Sequence, residues 1–317
     1  MRVLLAPMEG VLDPPLREVL TRVGDYDLCV SEFIRITDQH MPAKVFHRLC
    51  PELANDSKTR SGTPIRIQLL GNNPETLARS ALKAIKLGSP GIDLNFGCPA
   101  KTVNKHKGGA VLLKEPDAIA NIIRTVRDRV PNQHPVTAKM RLGFDNSESA
   151  LEIAKKIEQA GADELVIHAR TKVQGYKPPA HWHLLADIQN TLSIPVIANG
   201  EIWDINDYLT CLETSQCQDV MIGRGAVASP FLCEDIRRHQ NGLEFKERTW
   251  VKDIKPLLIE FYEVCKPDGS PRHDLQITGR LKQWLHMLGW QSPEAKEALQ
   301  QVKRLKTRHD VFSALEL

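Results

Sequence analysis

Apolar residues recur through the first two thirds of the chain in short runs rich in β-branched side chains. They read Val3-Leu4-Leu5, Leu28-Cys29-Val30, Ile65-Arg66-Ile67-Gln68, Gly91-Ile92-Asp93-Leu94, Val136-Thr137-Ala138-Lys139, Glu164-Leu165-Val166-Ile167, Pro195-Val196-Ile197-Ala198 and Asp219-Val220-Met221-Ile222. Such runs are too short for helices and predict buried strands. Most are followed by apolar residues at helical spacing, as in Pro74–Leu87, Pro116–Val130 and Ser147–Ala160. Pro74 and Pro116 stand where the first turn of a helix tolerates proline. The connection from Met41 to Ser61 is the irregular one. Eight strand–helix units in about 240 residues predict an α/β fold, the (β/α)8 TIM barrel. The rival is a doubly wound sheet. Its glycine fingerprint belongs after the first strand, where this chain reads Ala6-Pro7-Met8-Glu9-Gly10.

The pattern changes near Gly242. Strand signals stop, and helical spacing runs over Val251–Val264, Leu275–Leu288 and Pro293–Leu305, with a turn at Lys266–Pro271. The sequence therefore predicts a barrel over residues 1–242 and a small all-helical domain over residues 243–317.

Composition narrows the class. Of 317 residues, 42% are hydrophobic and 26% charged, which is ordinary for a globular protein. The apolar run at Val3-Leu4-Leu5 is too brief for a signal peptide or a membrane span; a cytoplasmic location is expected, and separately a monomer. The seven cysteines form no Cys-x-x-Cys pair, which argues against a disulfide framework or a zinc site, and no metal is expected.

In a barrel of this kind the chemistry sits at the C-terminal strand ends. Those positions are polar here. They carry Pro7-Met8-Glu9, then Glu32 and Arg35, then Gln68, then Asn95-Phe96-Gly97-Cys98-Pro99, then Lys139 and Arg141. His168-Ala169-Arg170, Asn199-Gly200-Glu201 and Gly223-Arg224-Gly225 complete the series. Any one of them could be structural. A polar group at nearly every strand end is expensive to bury without purpose, so together they predict a site. Glycines after the seventh and eighth strands let backbone N–H groups approach an anion, and Arg224 adds a fixed charge, which predicts a phosphate-bearing cofactor. Lys139, Gln68 and the backbone of Pro7 and Met8 suit the carbonyls and nitrogens of a flavin ring, and His168 suits either the phosphate or the substrate. Cys98 lies in an exposed turn with no paired histidine. That fits a general acid better than a covalent nucleophile. The basic stretch Lys101–Gly109 reads as a solvated loop or as a mobile lid over a polyanion.

Between Arg272 and His309 eight Lys or Arg stand against three acidic residues, a local net of +5 in a chain whose whole net charge is +3. A basic patch on a small helical domain is the electrostatic footprint expected for a phosphate backbone.

Together these residues resemble the tRNA-dihydrouridine synthases over essentially the whole chain. The most specific segment is Asn95-Phe96-Gly97-Cys98-Pro99-Ala100-Lys101 followed by Gly108-Gly109-Ala110. Lys139-Met140-Arg141, Val166–Thr171, Ile197–Gly200 and Met221–Gly225 support it. The resemblance implies a flavin mononucleotide (FMN) barrel joined to a helical tRNA-binding domain. It implies that flavin reduced by NADPH gives hydride to C6 of a uracil while Cys98 protonates C5. It further implies cofactor contacts at Pro7, Met8, Gln68, Lys139, Asn199, Gly200, Glu201, Gly223 and Arg224, to which the strand-end reading adds Glu9 and His168, and tRNA contacts at Asn95, Arg141 and Tyr176. Met1–Gly10, Ser31–Arg35 and Arg280–Leu285 resemble the bacterial C-type branch, which acts on uridine 16 of the D-loop. That likeness adds Arg35, Arg280, Lys282, Met287 and Lys303 as tRNA contacts. At Met287 the branch can carry an aromatic residue, and the stretch Lys177-Pro178-Pro179-Ala180 departs from it in length. Two rival readings are a flavin reductase of free pyrimidines, resembling dihydroorotate dehydrogenases, and a non-catalytic tRNA-binding protein.

Overall fold

The computed structural model describes residues 1–37, 41–265 and 270–317. Its strands are β1 (Val3–Leu5), β2 (Leu28–Val30), β3 (Ile34–Arg35), β4 (Ile65–Leu70), β5 (Ile92–Phe96), β6 (Val136–Arg141), β7 (Glu164–His168), β8 (Val196–Asn199) and β9 (Asp219–Ile222). Neighbours run β2-β1-β9-β8-β7-β6-β5-β4, and β2 pairs with β4 to close the ring. Every pairing between these strands is parallel, with Cys29 opposite Ile65 at the closure. The chain forms the expected barrel of eight strands with helices. The remaining strand, β3, pairs only with β4, Arg35 lying opposite Leu70. Two residues are too few to show alternation, so it left no pattern in the sequence.

Several strands run further than their apolar runs. Asn95 and Phe96 belong to β5, Met140 and Arg141 to β6, His168 to β7 and Asn199 to β8. The backbone ladder continues past the last aliphatic residue, pairing Asn95 with Lys139 and Arg141 with His168. These polar groups therefore stand on rigid strand ends rather than on loops.

The helices follow local signals. Pro74–Lys86 starts where the Asn73 side chain accepts from the Thr76 N–H, with Pro74 in the first turn. The irregular connection holds the helix Ala43–Leu49 and a 3-10 turn at Pro51–Ala54. The basic stretch after Cys98 is ordered into the helix Lys101–Lys105 and a 3-10 segment, Gly109–Lys114, with Val103 buried. The sequence read it as a loop because five residues are fewer than two helical turns.

The chain divides into two compact units. One holds Met1–Pro14, Tyr26–Ile202 and Asn206–Gly223; the other holds Pro15–Asp25, Trp203–Ile205 and Arg224–Leu317. In the first, Leu4, Ala6, Leu28, Val30, Val166, Ile197 and Met221 form a buried cluster. In the second, helices span Lys255–Val264, Pro271–Leu288, Pro293–Val302 and Arg308–Leu315. Trp284 centres that unit: its indole donates to the Val227 carbonyl at 3.0 Å and meets the Phe261 ring at 5.4 Å. The helix expected from Leu275 begins at Pro271 because the Ser270 hydroxyl caps the His273 N–H. The turn expected at Lys266–Pro271 lies outside the described residues up to Gly269. The last helix was not expected; the Thr307 hydroxyl caps it by accepting from Asp310. No helix among the described residues is long and apolar enough to cross a membrane.

Candidate active site

The C-terminal strand ends bring Gln68, Asn95, Lys139, Arg141, His168 and Asn199 to one end of the barrel. Cys98 sits just past β5, and it is half-buried while five of the seven cysteines are buried. Its turn is held from several sides. The Asn95 side-chain oxygen Oδ1 accepts from the N–H groups of Gly97 and Cys98, both at 2.9 Å. The Asn104 amide donates to the Cys98 carbonyl at 3.0 Å. Arg141 donates through Nε to the Gly97 carbonyl at 2.9 Å. Gly109 closes the far side at φ +66°, where a Cβ would come within 2.9 Å of the Cys98 carbonyl. Burial pushes the Cys98 thiol up. The Ala100 N–H opposes the shift, the Glu9 carboxylate adds to it and the Arg141 guanidinium opposes it. A thiol so placed keeps its proton at neutral pH.

Gln68 is fully buried and donates to Asp93 Oδ2 at 2.6 Å, while its carbonyl accepts from the Asn95 amide at 2.7 Å. Each of these two primary amides thus uses one N–H and keeps a second to spare. Lys139 donates to Asn199 Oδ1 at 2.7 Å, and Asn199 donates on to the Met221 carbonyl at 2.7 Å. Burial pushes the Lys139 ammonium down to about 7, the nearby Arg141 charge pushes the same way, and Asp93 opposes.

Arg141 is buried. Besides Gly97 it donates to the carbonyls of Thr171 and Gly175 at 3.1 and 2.8 Å, and it lies 5.2 Å from the centre of the Tyr176 ring. Tyr176 is 52% exposed and stands 5.9 Å from the His168 ring. His168 Nε2 lies 3.3 Å from an Arg170 nitrogen. Arginine only donates, so the ring nitrogen is the acceptor in that contact. Arg170 is fully buried and forms an ion pair with Glu201. Gly200 has φ +113°, and a Cβ there would fall 2.6 Å from His168 Cδ2. Only glycine lets the β8 end pass this ring. Pro7, Met8 and Glu9 follow β1, where Met8 Sδ would lie 3.5 Å from a Cβ at Gly223.

Arg35 is exposed at the end of β3, beside a pocket of about 190 Å³ that Asn72 and His106 also line. In the helical unit Arg224 lies 5.0 Å from the Trp203 ring centre, and Trp203 meets Trp290 edge to face at 5.9 Å. Arg280 donates to Gln283, Lys282 donates to the Leu305 carbonyl at 2.6 Å, and Lys303 is exposed and donates to Gln300. Met287 is buried, at 8% exposure, while Trp290 is 40% exposed. Sequence reasoning passed over Asp93. A carboxylate on the inward face of β5, in phase with Asn95, was the signal that could have found it.

The family model for dihydrouridine synthase (Dus) matches residues 4–314. The chain belongs to the dihydrouridine synthase family. A relative from Aquipseudomonas alcaligenes named tRNA-dihydrouridine(16) synthase is 50% identical over 304 residues, covering 96% of this chain and 95% of the relative. A protein of the same name from Escherichia coli (strain K12) is 47% identical over 317 residues, covering 100% and 98%. Among solved structures, a 2-naphthoyl-CoA reductase complex superposes with TM-score 0.56 at 13% identity, over 76% of this chain and 50% of that one. A variant of NCR from Zymomonas mobilis gives 0.53 at 14%, over 81% and 90%. At such identities these structures speak for the barrel alone. Among the described residues no group of three or more His, Cys, Asp or Glu is arranged to hold a metal ion.

Proposed function

We propose that the chain is an FMN- and NADPH-dependent tRNA-dihydrouridine(16) synthase, an oxidoreductase that saturates the C5–C6 bond of uridine 16 in the tRNA D-loop. The observation that carries the reading is Cys98: a half-buried, protonated thiol on a turn locked at the barrel mouth. Family membership and the relatives' names supply the substrate.

The donor set fits a flavin. Gln68 and Lys139 offer N–H groups to ring carbonyls and nitrogens, and the missing Cβ at Gly200 leaves the backbone open beside His168. Pro7, Met8 and Glu9 would line the ring. Asn199, Glu201 and the backbone at Gly200 and Gly223 would hold the remainder, with Arg224 toward the phosphate. When bound, the reduced flavin supplies the hydride that uracil C6 receives. The chain's own part is then a proton. Cys98 gives it from Sγ to C5, so that one hydride and one proton together saturate the bond. The spare N–H of Asn95 suits a uracil carbonyl, and exposed Tyr176, stacked toward His168 and Arg141, suits the face of an unstacked base. Residues 243–317 act as the docking domain, with Arg280, Lys282 and Lys303 meeting phosphates and Arg35 orienting the same tRNA. Met287 supports that surface from within.

Sequencing-based mapping of dihydrouridine in tRNA from a strain lacking the protein tests the reading. Loss at position 16, restored by the wild-type chain and not by Cys98→Ala, is expected. An intact modification at that position overturns the reading and returns the free-pyrimidine reductase. Full complementation by Cys98→Ala would favour a non-catalytic tRNA-binding protein.

A further inference from the structure

Beneath Cys98 lies a buried line of polar side chains whose donor direction can be deduced. It starts at backbone N–H groups, which cannot turn over. Gly97 and Cys98 donate to Asn95 Oδ1, so the Asn95 nitrogen must face Gln68. It donates there at 2.7 Å, which makes the facing Gln68 atom the oxygen and turns the Gln68 nitrogen to Asp93. Gln68 then donates to Asp93 Oδ2 at 2.6 Å. Each amide is therefore fixed by the next, and the line needs an acceptor at its end. Asp93 is that acceptor. It is 1% exposed, sits opposite Gln68 in the β4–β5 ladder and takes a second bond from the Thr137 hydroxyl at 2.7 Å on Oδ1. Thr137 in turn accepts from Arg66 at 3.2 Å, and its alternative acceptor, the Ile92 carbonyl, is further away at 3.3 Å. Burial pushes the Asp93 carboxyl up, while the bonds from Gln68 and Thr137 and the charges of Arg66 and Lys139 oppose that shift.

We propose that Asp93 is a positioning residue for the reaction: as the terminal acceptor it sets the orientation of the Gln68 and Asn95 amides and thereby holds the turn that presents Cys98. The inference rests on the proton-donor reading of Cys98. Unpairing Gln68 would let both amides turn, and an Asn95 nitrogen facing the N–H groups of Gly97 and Cys98 would open the turn.

The line has a polarity, and that makes it testable without turnover. Asp93→Asn still offers an oxygen to Gln68, while Thr137 can rotate to the Ile92 carbonyl and accept the new N–H. Asp93→Leu offers nothing. Asn95→Asp reverses the demand: Gln68 must turn its nitrogen to the new carboxylate, which leaves its oxygen against Asp93. Adding Asp93→Asn then provides the missing donor, so the double variant is paired throughout, with the two bonds of Gln68 reversed and the backbone N–H bonds to position 95 unchanged. The measurements are thermal melting of the full chain and the rate of Cys98 alkylation by iodoacetamide, followed on the Cys98 peptide by mass spectrometry. Asp93→Asn is expected to stay within about two-fold of the wild-type alkylation rate, and Asp93→Leu to raise it several-fold. Single-turnover reduction by Asp93→Leu is expected to fall by about ten-fold or more with the KM for tRNA little changed. Asn95→Asp should melt several degrees lower, and Asp93→Asn, but not Asp93→Leu, should restore most of that loss. Equal rescue by Leu and Asn would reduce the effect to removal of a charge and overturn the proposal. An unchanged alkylation rate in Asp93→Leu would do the same, whereas retained turnover in Cys98→Ala would strike only the proton-donor reading. Where Asp93→Leu does not fold alone, the Asn rescue of Asn95→Asp decides.

Discussion

The side-chain oxygen of Asn95 accepts the backbone N–H of Cys98 at 2.9 Å, so the last polar residue of β5 fixes the thiol that follows it three positions on. A strand end is among the most rigid places in a barrel, and the bond transfers that rigidity to a turn. The shared acceptor also holds Gly97, so both N–H groups of the turn are tied to the strand end.

Cys98→Ala should bind flavin and tRNA like the wild type and lose reduction by about 10² or more, the usual worth of a positioned general acid. Dihydrouridine formed in vitro on unmodified tRNA, read by mass spectrometry, checks this. Because burial holds the thiol above its ordinary range, the wild-type single-turnover rate should stay flat through neutral pH and fall only on the alkaline side of that range. A decline that begins near pH 7 would assign the proton to another group.

Gly200→Ala should cost about 2 kcal/mol or more, because it combines a left-handed φ of +113° with a Cβ 2.6 Å from His168 Cδ2. Flavin retention after gel filtration and the melting temperature should both drop. Adding His168→Ala should recover part of the stability, since it removes the contact but not the strained φ.

Lys139→Met should lose flavin yet stabilise the empty protein most at acid and neutral pH. The folded-state pKa of Lys139 is lowered from 10.5 to about 7. Below pH about 7 the lysine is charged in both states, and the folded state bears the whole cost of burying that charge. Between about 7 and 10.5 the unfolded chain binds the extra proton, so the wild type gains stability as pH rises. The melting-temperature gap between variant and wild type should therefore narrow across that window. A gap independent of pH would mean that Lys139 does not titrate there.

Replacing Arg280, Lys282 and Lys303 with Glu should weaken tRNA binding and flatten its salt dependence, with the slope of log K against log salt falling by about 0.7–0.9 for each phosphate that is no longer neutralised. Filter binding across a salt series measures it. Single-turnover reduction at saturating tRNA should change little, since Cys98 and its supports lie on β4, β5 and β6 and in the turn that follows β5.

The sequence by itself determined the barrel, because eight apolar runs alternating with helical spacing leave few other ways to bury both faces of a parallel sheet. It also pointed to one end of the barrel as the candidate site, since polar residues such as Gln68, Lys139 and His168 recur at the ends of those runs. It marked Cys98 among seven cysteines by position alone. Only the tertiary structure decided what each polar group is bonded to. Asn95 and Arg141 read as contacts to an outside ligand, and the structure shows that both also hold the Cys98 turn. Met287 fell on a basic helix, and the structure buries its side chain. Asp93 looked like one polar residue within a strand, and its part emerged only when β4 and β5 set it opposite Gln68. The physical reason is the range of the interactions. Hydrophobic periodicity is written in neighbouring residues, whereas a hydrogen bond between Gln68 and Asp93 joins groups 25 positions apart and exists only once the ring of strands has closed.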